Sequence, residues 1–255
     1  MMSKMWLASI LASVNVLVAA GAEPQAGRPA PAKREAAATL PVLGPGLHTA
    51  TLERAGAPPI RYTISVPEGP APAGGAPLVL ALHYGGEVTP FYGKDIVESL
   101  VEPALRDLKA VIVAPDSQAG AWDSPANARA VPLLIESVAA SYKTDRKKLV
   151  VTGFSMGGEG SWSFAGKYPG RFAAAVPVAG EPPTSLAGWR TPVFAVHGSK
   201  DEIMSLAATR KGIEALQAAK VDARLVVLDG LTHYQTEKYV AGLRQAVPWL
   251  QAILK

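Results

Sequence analysis

The sequence predicts an α/β fold, a mostly parallel central sheet with helices on both faces, and three observations carry that expectation. Short apolar runs alternate with helical patterns along most of the 255 residues. The runs are continuously hydrophobic rather than alternating, as strands covered on both faces should be. One of them, 149–152, leads through a glycine-flanked serine directly into a helical pattern.

The elements follow in order. Residues 46–54 and 60–66 read as an opening antiparallel pair. Strands are then expected at 78–82, 111–114, 149–152, 174–178, 192–196 and 224–228. Pro177 lacks the ladder donor of a central strand, so the 174–178 run is expected to be short or bulged. Between strands, 97–108 keeps Val97, Leu100, Val101, Leu105 and Leu108 on one side, and 130–142 does the same with Leu133, Leu134 and Val138. The pattern at 157–168 stops before Pro169, and 205–219 and 237–254 close the domain. The sequence shows neither an internal repeat nor a second domain.

The N-terminus has the layout of a secretory signal, 1–22. Lys4 precedes a mostly apolar stretch interrupted by Ser9, Ser13 and Asn15, and Ala20-Gly21-Ala22 supplies small residues at a cleavage point. The apolar length is short for a membrane span. The chain is therefore expected to be secreted or periplasmic in a bacterium, with no stable membrane anchor after cleavage. Residues 23–42, rich in Ala and Pro, read as a tether, and 43–255 as the folded domain.

Composition narrows the function classes. With 49% hydrophobic and 18% charged residues, the chain buries a sizeable core and is not a disordered protein. It has no cysteine, which excludes disulfides, thiolate nucleophiles and thiolate metal sites. The net charge is +4, and the densest basic run, Lys143, Arg146, Lys147 and Lys148, reads as a solvated turn rather than a nucleic-acid patch. No nucleic-acid partner, metal or cofactor is expected.

The chemistry concentrates at Gly153-Phe154-Ser155-Met156-Gly157, a G-x-S-x-G in the strand–turn–helix setting such a motif requires. A sharp turn there strains the serine backbone and points its hydroxyl off the sheet, and the glycines keep side chains from colliding across it. The following helix start offers free N–H groups to a developing anion. A serine hydroxyl needs a base within reach. Of four histidines, His233 lies just past the last strand, where a loop can return over Ser155. His48 reads as a surface residue, and His83 and His197 end strands next to glycine-containing loops.

The acid that orients the base is expected at Asp201, after the 192–196 strand. Its neighbour Glu202 is one rival, and Glu181, one strand earlier, is the other. Oxyanion donors are expected from the backbone N–H of Met156 and from the His83-Tyr84-Gly85-Gly86 loop, with Gly85 first and Tyr84 as the alternative. Trp122 is placed on the same rim, either as a wall for substrate or as a cover for the core. Tyr84 and Trp122 are the candidate substrate-binding side chains.

At these residues the chain resembles the α/β-hydrolase superfamily, and within it the bacterial carboxylesterase and polyhydroxybutyrate-depolymerase-like group with its feruloyl-esterase-like and phospholipase/carboxylesterase-like members. The resemblance runs from about Leu47 to the C-terminus. It is strongest around Ala114-Pro115-Asp116, Gly120-Ala121-Trp122, 149–158, Lys167-Tyr168-Pro169 and Arg171-Phe172. It implies Ser155 as nucleophile, Asp201 as acid, His233 as base, and Gly85 and Met156 as oxyanion donors. Many hydrolases of this architecture carry a helical cap where this chain has room only for a loop between 179 and 192, so little or no cap domain is expected, and an open site.

Tyr84-Gly85 stands where depolymerase-type members often have a cysteine, and the disulfides common in secreted relatives are missing. The function expected is a serine carboxylesterase acting on a small or polymeric ester. A prolyl-oligopeptidase-type serine peptidase and a non-catalytic binding module of the same fold are the alternatives.

Overall fold

The computed structural model describes residues 35–255, so the signal segment and most of the tether lie outside the described residues. Eight strands form one sheet: β1 (Gly46–Leu52), β2 (Ile60–Val66), β3 (Ala76–Leu82), β4 (Val111–Pro115), β5 (Thr144–Phe154), β6 (Ala174–Val178), β7 (Val193–Gly198) and β8 (Ala223–Leu228). Their order is β1-β2-β4-β3-β5-β6-β7-β8. β1 runs antiparallel to β2, and β2 antiparallel to β4. All later pairings are parallel.

Both faces of the sheet are covered. In β3, Leu78, Leu80 and Leu82 pack on one side with α3 (Pro125–Ser141), α4 (Met156–Lys167) and α5 (Leu206–Ala218). Val79 and Ala81 face the other side. There they meet α1 (Gly93–Ile96), α2 (Glu102–Leu105), α6 (Val240–Arg244) and α7 (Val247–Ile253). Every residue of β3 is buried, which is why its sequence shows no alternation.

Several boundaries differ from the sequence reading. The helix expected at 97–108 begins earlier, at Gly93, and is interrupted: a π turn, Val97–Val101, separates α1 from α2, and a 3-10 turn, Arg106–Leu108, ends it. Pro103 has no N–H for a carbonyl one turn back, and the widened turn lies immediately before it. β5 starts at Thr144, so most of the basic run expected in a turn lies in the strand. Its first pairing, Ala76 with Thr144, is separated by a register shift from the main ladder that begins at Leu78 and Leu149. The final helix divides into a 3-10 turn (Thr236–Tyr239), α6 and α7, with Pro248 at the start of α7.

β6 runs unbroken through Pro177, which pairs with Gly153 of β5. The part of the expected tether that is described, 35–42, is docked rather than free. Leu40 is 4% exposed, and the N–H groups of Ala38 and Leu40 donate to Ser137 and Ser141 of α3. A short apolar contact with matched hydroxyls does not show in composition. Between β6 and β7 there is neither helix nor strand, as the short 179–192 interval led us to expect.

Candidate active site

β5 passes directly into α4, and Ser155 is the single residue at the corner. It sits at φ 56°, ψ −121°, a strained conformation for a residue with a side chain. Its N–H donates to Val178 of β6 at 3.0 Å, and its carbonyl accepts from Glu159 at 3.0 Å, so both strand and helix hold the corner. The glycines around it are required by contact. A side chain at Gly153 would lie 2.5 Å from the Leu82 carbonyl oxygen, and one at Gly158 would lie 2.5 Å from that of Val178. At Gly157 it would overlap the Leu82 carbonyl and reach within 2.8 Å of the His83 oxygen.

The chain leaving Leu82 becomes the 83–86 loop, so Gly157→Ala, which presses on it, is expected to cost about 1–3 kcal/mol of stability. It should lower Tm by several degrees and reduce activity as well. Thermal denaturation beside the wild type checks this, and an unchanged Tm would contradict the packing described.

Ser155 Oγ lies 2.8 Å from His233 Nε2, and His233 Nδ1 lies 2.9 Å from both carboxylate oxygens of Asp201. The Asp201 side chain is fully buried, and its Oδ1 also accepts from the N–H groups of Ile203 (3.0 Å) and Met204 (2.8 Å). A carboxylate is acceptor-only, so His233 carries its proton on Nδ1 and leaves Nε2 free to accept from Ser155. His233 is 4% exposed, its ring tilted against Phe154 at 5.1 Å between centroids. The two rival acids have other partners. Glu202 accepts from the backbone N–H of His233 at 3.1 Å, and Glu181 accepts from the N–H of Ser205, which caps α5, at 2.6 Å.

The loop after β3 is braced by His83 and Trp122. His83 Nε2 accepts from the N–H of Ser117 at 3.0 Å, so its proton is on Nδ1, which donates to the Tyr84 carbonyl at 2.7 Å. Because the Tyr84–Gly85 peptide is trans, holding that carbonyl turns the Gly85 N–H the opposite way. Gly85 and Met156 are close neighbours: a Cβ at Gly85 would meet Met156 Sδ at 3.9 Å. Among the described residues, neither the Gly85 nor the Met156 N–H has an acceptor.

Trp122 is 1% exposed and its indole N–H donates to the His83 carbonyl at 2.9 Å, so most of the ring covers core and steadies the loop. Asn127 secures the next loop, donating to Ser117 Oγ and the Ala121 carbonyl, each at 2.9 Å. The Tyr84 hydroxyl is already engaged, donating to Asp95 at 2.7 Å.

His197 does for the 198–204 loop what His83 does for the 83–86 loop. Its Nε2 donates to the Met204 carbonyl at 3.0 Å, while Nδ1 faces the Thr209 hydroxyl at 3.1 Å. Tyr239 holds the loop that carries His233 by donating to the Thr232 carbonyl at 3.2 Å. The only advance signal for these braces was two histidines at strand ends.

Burial pushes both buried histidines below the ordinary value of 6.5. It does so against the opposing pull of the Tyr84 carbonyl and Asp116 at His83, and of the Met204 carbonyl and Asp201 at His197. The unfolded chain therefore takes up protons first as pH falls through 6.5, and stability declines from there down to the lowered folded values. Each histidine contributes a slope of at most about 1.4 kcal/mol per pH unit in that window. Tm is expected to fall between pH 7 and pH 5, above the main range of carboxylate titration. A His83→Gln/His197→Gln double variant should start lower and lose most of that slope. A wild-type Tm constant over the window would refute the account.

Solved structures that superpose on the described chain include esterases and serine hydrolases. The chain superposes on a thermostable esterase with a TM-score of 0.66 at 20% identity, covering 81% of this chain and 62% of that one. It also matches a protein from Xanthomonas campestris described as an α/β serine hydrolase without a lid, with a TM-score of 0.62 at 19% identity, covering 84% and 97% of the two chains. A ferulic acid esterase gives a TM-score of 0.62 at 19% identity over 82% and 98%. At such identities these likenesses establish the fold, which is that of the α/β-hydrolases.

Residues 100–244 match the sequence model of the Dienelactone hydrolase family, and the chain belongs to that family. Among curated proteins, Protein usf of Aquifex pyrophilus is 34% identical over 99 residues, 35% of this chain, and the match spans 40% of that relative's length.

Proposed function

We propose that the chain is a serine carboxylesterase, working through an acyl-enzyme with Ser155 as nucleophile, His233 as general base and acid, and Asp201 as the group that orients it. One observation carries the reading: the unbroken relay from Ser155 Oγ through both ring nitrogens of His233 to the buried Asp201 carboxylate, at 2.8 and 2.9 Å. The hydroxyl attacks the ester carbonyl as Nε2 takes its proton. The tetrahedral oxyanion is received by the N–H groups of Met156 and Gly85, and the imidazolium returns the proton to the departing alcohol. Water repeats the sequence and releases the acid. No metal or cofactor enters this scheme.

The pattern at 1–22 supports export to the periplasm or the medium, with an ester as the partner molecule. Among the described residues, no helix is long and apolar enough to cross a membrane.

Treatment with a fluorophosphonate, read by intact mass, tests the nucleophile. The wild type should gain one phosphonyl adduct, and Ser155→Ala should gain none. A folded wild type that takes no adduct would overturn the reading in favour of a binding role. Turnover of an anilide equal to that of the matching ester would favour the peptidase alternative.

A further inference from the structure

Among the described residues, the exposed large apolar side chains are Val42, Ile203 and Tyr234. Two of them stand in the loops that carry Asp201 and His233. The Ile203 N–H donates to Asp201 at 3.0 Å, and Tyr234 directly follows His233. A scattered surface aromatic needs no explanation, but this one is tied to the imidazole. Tyr234 is 75% exposed, yet its ring stands perpendicular to that of His233, at 5.6 Å between centroids. The imidazole is enclosed elsewhere. Nδ1 faces the buried Asp201 carboxylate, Nε2 faces Ser155 Oγ, and Phe154 rests against the ring at 5.1 Å. Tyr234 is its neighbour on the solvent side. A cavity of about 400 Å³ begins at Met156 and runs along α4 to Lys167, and no residue of the 230–236 loop lines it. Trp122, Met156 and Leu186 of its lining pack with the α3, α4 and α5 side of the sheet, whereas Phe154 packs with the α6 and α7 side. The space next to Tyr234 is thus distinct from the cavity.

We propose that Tyr234 is a specificity-determining residue that receives the alcohol part of the ester and favours aromatic alcohols, an inference that rests on the esterase reading above. In that scheme the Nε2 proton passes to the departing oxygen, which must come within about 2.6–3.2 Å of Nε2. The first atoms of the alcohol are then held within reach of the Tyr234 ring. That ring already rests on His233, so it offers an apolar face at little entropic cost, and an aromatic alcohol can stack on it or meet it edge-on. The acyl carbons attach on the other side of the carbonyl and gain less from it.

The test uses two isomeric esters, benzyl acetate with its phenyl group on the alcohol and methyl phenylacetate with it on the acyl part. In Tyr234→Ala, kcat/KM for benzyl acetate should fall about fivefold further than that for methyl phenylacetate. Tyr234→Phe should keep the wild-type ratio of the two, since the ring and not the hydroxyl does the selecting. Equal losses for the isomers would mean that the ring only steadies His233, and a larger loss for methyl phenylacetate would put it against the acyl group. Either result overturns the proposal, as does an unchanged Tyr234→Ala. A wild type that takes the fluorophosphonate but leaves benzyl acetate intact overturns it too, while the esterase reading stands. A wild type that neither labels nor hydrolyses either isomer overturns the esterase reading, and this proposal falls with it.

Discussion

Ser155→Ala should lower kcat on the order of a million-fold, the loss seen when the serine of a comparable triad is removed. The reason is local. No cysteine exists to substitute for the serine. Without the hydroxyl, His233 Nε2 has nothing to activate at 2.8 Å except water that must enter the same corner. The N–H groups of Met156 and Gly85 would survive the change, so a residual acceleration of about 10³ to 10⁴ over water is expected to remain. Steady-state hydrolysis of a p-nitrophenyl ester, with contaminating esterase removed, measures it. A variant that keeps a tenth of wild-type kcat would sink the assignment of Ser155. Alanine also relieves nothing at the corner, because φ 56° is unfavourable for any residue with a Cβ, so stability should change little.

The second large effect is expected for Asp201→Asn, about 10³- to 10⁴-fold in kcat with little change in KM. The two backbone N–H groups of Ile203 and Met204 both point at Oδ1, and they fix the amide oxygen there. The amide nitrogen then occupies the place of Oδ2, 2.9 Å from His233 Nδ1 and 3.4 Å from His197 Nε2. Both ring nitrogens carry protons in the native arrangement, so a new donor between them favours the other tautomer of His233. Its Nε2 would then hold a hydrogen and could not accept one from Ser155. Glu202→Gln should fall by less than tenfold, since a glutamine oxygen can still accept from the His233 N–H. Equal losses in the two variants would mean that the acid has been misplaced.

The central strands were legible because they are buried on both faces, so their sequence is largely apolar, as in Val193–Gly198. The corner at Ser155 was legible because its glycines are forced by backbone contact. What sequence could not show are features set by distant partners. Leu40 docks on Ser141, about a hundred residues away, and nothing local marks that contact. β5 begins at Thr144 through a backbone pairing with Ala76 that its charged side chains conceal. His83 and His197 were visible only as histidines at strand ends. Their work is defined by Ser117, 34 residues on, and by a carbonyl at Met204. The loop bend that turns the Asp201 carboxylate to the imidazole and the Glu202 carboxylate to the His233 N–H has no local sequence signal.

The bare loop between β6 and β7 has a kinetic consequence. In the proposed scheme, the segment between β6 and β7, which carries neither helix nor strand, supplies no cap over an acyl-enzyme, so water is expected to reach the acylated serine once the alcohol departs. Water at its bulk concentration outcompetes most dissolved alcohols for the acyl group. In the proposed scheme, such a catalyst is committed to hydrolysis and is a poor acyl transferase.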